Sequence, residues 1–239
     1  MPPKQIQRCS FWTLATLGFL LLWDALGLDL ALARWFGSAL GFPWQQHWLL
    51  ADVLHDGARN AGWLLLLLLA LAIRWPLGPL KRLTRGERVR LVLGVLSALL
   101  VVALIKQASW SSCPSDLLEF GGSAQYVSHW LWGVRDGGGG HCFPAGHAST
   151  GFAFIAGYFC LHEKAPRQAR LWLAAALLAG LALGLVQQLR GAHYLSHVLW
   201  SGWFCWTSAG ICHLLTGYLD RKRPAPAAAL LALGNVKPV

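Results

Sequence analysis

Cys142-Phe143-Pro144-Ala145-Gly146-His147-Ala148-Ser149 is the stretch on which the reading of this chain turns, because a polar loop opens here straight into an apolar run. Gly137 to Gly140 lie just upstream, and four consecutive residues without a Cβ read as a soft hinge. Pro144 and Gly146 make a turn, and the apolar residues from Ala148 to Leu161 then predict a helix with His147 in its first turn. Unpaired N–H groups and the positive end of the dipole suit a helix N-terminus to an anion, and a histidine there is placed to exchange a proton with it.

A second polar element follows in Gln187-Gln188-Leu189-Arg190-Gly191-Ala192-His193-Tyr194-Leu195-Ser196-His197. His193 and His197 are four residues apart, which predicts a shared face on one helix, with Arg190 three residues before the first. Two histidine elements and a cation at the ends of apolar helices make a candidate phosphoryl-transfer site.

Composition bounds the setting. Of 239 residues, 56 % are hydrophobic and 13 % charged, a balance far more apolar than a soluble domain needs. The chain therefore reads as an all-α, polytopic membrane bundle forming a single domain over residues 1–239. Its net charge of +10 comes from short basic runs between apolar segments, which points to anionic lipid headgroups and not to nucleic acid. Cys9, Cys160, Cys205 and Cys212 sit in or beside apolar runs as small hydrophobes. Cys113 and Cys142 share one polar segment and are a candidate pair.

Six apolar stretches are expected to span the membrane, at about 11–28, 61–73, 91–105, 147–161, 171–186 and 197–215. Residues 1–90 hold the first two, with interfacial helices over 29–59 marked by Trp35, Trp44 and Trp48; residues 91–215 form the catalytic core, and 216–239 a disordered cytoplasmic tail. A cleaved signal peptide is the competing reading of the first stretch, since Ala31-Leu32-Ala33 imitates a cleavage site, although Asp24 and Asp29 interrupt the approach to it. With both termini cytoplasmic, fifteen of the twenty Lys and Arg fall inside, leaving Arg34, Arg59, Lys106, Arg135 and Arg190 outside. That orientation puts both histidine elements on the same, non-cytoplasmic face of a bacterial-type inner membrane.

On that face Lys106, His147, Arg190, His193 and His197 come from three helix ends that a bundle can bring together. These residues resemble the type 2 phosphatidic acid phosphatase superfamily of lipid phosphate phosphatases, which shares a helical core with vanadium haloperoxidases. The family pattern is K-x6-R-P, then P-S-G-H, then S-R-x5-H-x3-D. Lys106 with Pro114, Pro144-Gly146-His147, and His193 match it in turn, while Cys113 replaces Arg, Ala145 replaces Ser, Gln187 replaces Arg and His197 replaces Asp. The resemblance covers about residues 90–215.

The resemblance implies a mechanism without metal or other cofactor. His193 is the expected nucleophile, forming a phosphohistidine; Lys106, Arg190, the N–H groups near Gly146, and Arg135 as a further cation hold the phosphate; His147 protonates the leaving oxygen. His197 stands where the family Asp orients the nucleophile. Neutral nucleophile and protonated acid together predict a bell-shaped pH profile. Two other readings stay open: a metal site built from His147, His193, His197 and Cys142, and a non-catalytic relative that binds or moves a lipid. Gly137 to Gly140 lack the following Lys-Ser/Thr of a nucleotide-binding loop. The expected partner is an amphiphile with a phosphate or pyrophosphate, such as phosphatidate, phosphatidylglycerophosphate, a polyprenyl pyrophosphate or lipid A, among which the sequence does not choose.

Overall fold

A computed structural model describes residues 1–222, apart from the side chains of residues 52, 55 and 221, and these residues form helices and connecting loops without a named strand. Helix α1 (Pro3–Ala25) starts on a proline, which loses nothing where the N–H has no partner, and stops before Gly27, whose φ of 62° turns the chain into α2 (Leu28–Ala33). A π-helical segment (Leu49–Gly57) runs directly into α3 (Ala58–Leu71). Thr84 and Glu87 make a capping box that starts α4 (Arg85–Ala108). A loop over 109–145 leads to α5 (Gly146–Phe152), a 3-10 turn (Ala153–Ile155) and α6 (Ala156–Leu161). The last two helices are α7 (Pro166–Leu189) and α8 (Leu195–Lys222).

The α5–α6 segment is the centre of the bundle. Ala148, Phe152, Ala153, Ile155, Ala156, Phe159 and Leu161 are all buried, enclosed by Val95, Ala98 and Val102 of α4, Ala169 and Ala176 of α7, and Val198, Cys205 and Ala209 of α8. Close approach is what seats it: a Cβ on Gly151 would run into the backbone of Gly180, and one on Gly94 would come within 2.9 Å of the Ala156 Cβ. The outer helices turn leucines outward, among them Leu64 and Leu68 on α3, Leu93, Leu100 and Leu104 on α4, and Leu178 and Leu185 on α7. Helices α4 and α7 are long and apolar enough to cross a membrane, and α3 is a shorter apolar helix.

Two expectations are corrected here. Residues 216–222, assigned to the tail, continue α8 as helix, with Arg90 of α4 bound to Asp220 at 2.9 Å; the rest of the expected tail lies outside the described residues. The glycine run is not a hinge. Gly138 N–H donates to Asp136 Oδ1, Gly140 N–H donates to Ser112 Oγ, and Gly138 packs so tightly on Ser112 that a Cβ would not fit.

Candidate active site

Lys106 sits in the last turn of α4, after which the chain runs extended and pairs with the segment entering α5: His141 N–H donates to the Ser109 carbonyl and Cys142 N–H to that of Ser111, each at 2.9 Å. Asp136 clamps this pair from the side, accepting from the Ser112 N–H at 2.6 Å and the Ser112 hydroxyl at 2.8 Å. Cys113 and Cys142 are joined as a disulfide, with Cα atoms 5.2 Å apart. The first and second motifs are thus held by backbone, carboxylate and covalent links at once.

Helix α5 is tied to α8 where it begins. Ala145 N–H donates to the His197 carbonyl at 3.1 Å, and Ser201 Oγ donates to the Ala145 carbonyl at 2.9 Å. Half-buried His147 lies in its first turn, as expected. The Lys106 stem passes beside Gly146, where a Cβ would lie 3.6 Å from Cδ, so the lysine and the His147 turn meet at one place.

His193 does not share a helix with His197. Gly191 has φ +69° and lies against the Phe42 ring, which leaves no room for a Cβ, so the turn after Arg190 breaks and α8 begins only at Leu195. The two imidazole rings are 6.1 Å apart, and both converge on Cys142: His193 Nδ1 lies 3.4 Å from its Sγ, and His197 Nδ1 3.0 Å from its carbonyl oxygen. His193 and His197 are buried, whereas Lys106, His147 and Arg190 are half-exposed. Arg190 donates to Gln187 Oε1 at 3.3 Å and to the Gln45 carbonyl at 3.1 Å, so its guanidinium lies beside Gln187, the residue that stands where the motif has arginine. Arg135 lies with its guanidinium 4.5 Å from the centre of the Trp110 ring, in the loop that follows Lys106.

The model of the PAP2 superfamily matches residues 88–221, more than half of the chain, from the first turn of α4 to the last turn of α8. The chain belongs to the PAP2 superfamily. Membership brings phosphatase-type activity on phosphate esters. No curated protein and no solved structure matches the chain.

The PAP2 core is supported by residues outside the matched region that the motifs do not show. Asp29, on α2, caps α8: its Oδ1 accepts from Ser196 N–H at 3.0 Å and from Trp23 Nε1 at 2.9 Å, and its Oδ2 from the Ser196 hydroxyl. Burial pushes the Asp29 carboxyl above its ordinary pKa, and those donated hydrogen bonds pull against it. Asp24, at the end of α1, accepts from Trp200 Nε1 at 2.9 Å and Trp130 Nε1 at 3.0 Å and lies 3.4 Å from His129 Nε2. His129 stacks on Phe143 with ring centres 4.1 Å apart and meets the His197 ring edge-on. Two carboxylates inside an apolar stretch were the available signal, since an acid there calls for a partner.

Metal-ligand types do come together here. Cys113, Cys142 and His193 form one group, and Asp29, His129 and His197 another, with ligand atoms within 4.8 Å of each other. In the first the sulfurs are bonded to each other and are not thiolates; in the second, the Asp29 oxygens already accept three hydrogen bonds.

Proposed function

We propose that this protein removes phosphate from a lipid phosphate or lipid pyrophosphate at the non-cytoplasmic face of a membrane. One observation carries the lipid part: a cavity of about 450 Å³ has Lys106, Gly146, Ser149 and Arg59 at its polar end and Trp63, Leu96, Leu99, Leu100 and Phe154 along its walls. A phosphate at Lys106 with an apolar tail between α3 and α4 matches that shape, and the volume falls in the ordinary range for ligand pockets.

The six-span topology fits the same reading. Contacts of Met1 with Glu163, Lys164 with Glu87 and Arg90 with Asp220 gather the starts of α1 and α4, the α6–α7 connection and the end of α8 at one end of the bundle. The basic connections lie at that end, as a cytoplasmic face requires. The α5–α6 segment is short for a crossing and is enclosed by its neighbours, so it needs no lipid-facing length of its own.

In the proposed mechanism a lone pair on His193 attacks phosphorus. Lys106, Arg190 and backbone N–H groups at the start of α5 hold the non-bridging oxygens, and His147 gives its proton to the departing alcohol or phosphate. Water then cleaves the phosphohistidine to inorganic phosphate and regenerates neutral His193. Purified protein in micelles should release phosphate from one or more of phosphatidate, phosphatidylglycerophosphate, a polyprenyl pyrophosphate and lipid A, with no loss on adding EDTA. Release abolished by EDTA would support a metal site, and no release from any of these lipids would support a binding role.

A further inference from the structure

We propose that Cys142 is the positioning residue for the His193 nucleophile, its disulfide sulfur accepting the Nδ1–H of His193 so that the lone pair stands on Nε2. The inference rests on the phosphohistidine reading above. A sulfur bonded to two heavy atoms carries no hydrogen and can only accept, so its 3.4 Å approach to His193 Nδ1 is attractive when that nitrogen holds the proton. The same sulfur lies 3.3 Å from the Ala192 carbonyl oxygen, and with no hydrogen to donate this is a contact and not a hydrogen bond. The other imidazole obeys the same rule: a carbonyl oxygen only accepts, so His197 at 3.0 Å also carries its proton on Nδ1.

Cys142 is suited to the role because it cannot move. Its side chain is buried, its N–H is bound to Ser111, and its sulfur is bonded to Cys113, whose N–H donates to Asp116 Oδ2 at 3.2 Å. The hydrogen bond made by one ring nitrogen decides which tautomer the other presents, and the wrong tautomer leaves no lone pair for attack. In the resemblance pattern a carboxylate four residues after the nucleophile performs this orientation. Here the residue at that position, His197, is turned to the carbonyl of Cys142, while the sulfur of Cys142 faces the nucleophile. Sulfur is a weak acceptor, so its contribution is to orientation and tautomer more than to stabilising a developing charge.

Two variants separate this role from the crosslink. Cys113→Ala and Cys142→Ala both open the disulfide, but only the second takes the sulfur away from His193. On a lipid phosphate substrate, kcat of C142A should fall about tenfold or more below that of C113A, with similar KM, and the limb of the pH profile that reports the nucleophile should move only in C142A. Cys142→Ser, whose hydroxyl oxygen can accept, should recover part of the loss. Equal losses and equal pH profiles for C113A and C142A would overturn the proposal and leave the bridge a structural staple. Nitrogen-15 spectra of histidine-labelled protein, with His193 assigned by its absence in H193A, give an answer free of activity. The wild type and C113A should show His193 protonated on Nδ1 when neutral. An Nε2-protonated His193 in the wild type would sink the idea even if the protein is an active phosphatase, and an Nδ1-protonated one would uphold it even if no substrate is found.

Discussion

At the end of the bundle that carries His147 and His193, three carboxylates with buried side chains are held mainly by neutral donors, apart from the exposed Arg34–Glu119 and Arg59–Asp56 pairs, whereas at the far end carboxylates meet ammonium and guanidinium groups near the surface. Asp29 is bound by a serine and an indole, Asp136 by the N–H and hydroxyl of Ser112, and Asp24 by two indoles beside His129. The far end pairs Lys164 with Glu87, the amino terminus with Glu163, and Arg90 with Asp220, each with at least one partly exposed side chain. Neutral, directional donors fix a carboxylate in one geometry without placing another full charge beside the proposed phosphate site. Exposed ion pairs are screened and tolerate many geometries, so they tie elements together and specify little.

The largest effects should come from the reacting residues themselves. His193→Ala removes the proposed nucleophile and should abolish turnover on every phosphate ester. His147→Ala removes only the acid, so an alkyl phosphate should lose about 10²–10⁴-fold in kcat, and a nitrophenyl phosphate, whose leaving group needs little protonation, far less. Equal relative losses on both substrates in the two variants would refute the division of roles.

Next comes the support beneath the site. Asp29→Ala leaves the Ser196 N–H, its hydroxyl and the Trp23 indole without their acceptor and should cost about 3 kcal/mol, read as a lowered unfolding midpoint in detergent. Asn at this position keeps acceptor capacity and should lose less. Smallest of all, Lys164→Ala at the far end should cost under about 1 kcal/mol and leave kcat unchanged, because its side chain is partly exposed. A far-end variant as damaging as Asp29→Ala would erase the contrast between the two ends.

Much of the site was legible because its parts are local. Lys106, Pro114 and Pro144-Gly146-His147 are readable by their resemblance to the family pattern, and the structure brings Lys106 beside Gly146. The paired cysteines lie in one polar segment, and hydropathy located the apolar middle of each long helix, while α1 and α4 begin earlier and α8 runs on further than the apolar stretches indicate. The misreadings share a different cause. His193 and His197 look like a helical pair until Phe42, far away in the chain, is seen packed on Gly191, where only left-handed backbone without a Cβ fits. The glycine run looks soft until Asp136 and Ser112 are seen to bind its N–H groups.

The apolar helices, the family motifs and the order in which they occur could be read before folding, since these depend on composition and short spacings. Tertiary structure alone decided which apolar helix is enclosed by protein, because hydropathy is equally high for a helix facing lipid and one facing leucines, and α5–α6 proved to be the enclosed one. It also decided that Asp24 and Asp29 serve the loop and helix around His197, through hydrogen bonds to Trp130, Ser196 and Trp200. A hydrogen bond is read only where the chain folds back to within about 3 Å, and no local pattern encodes that return.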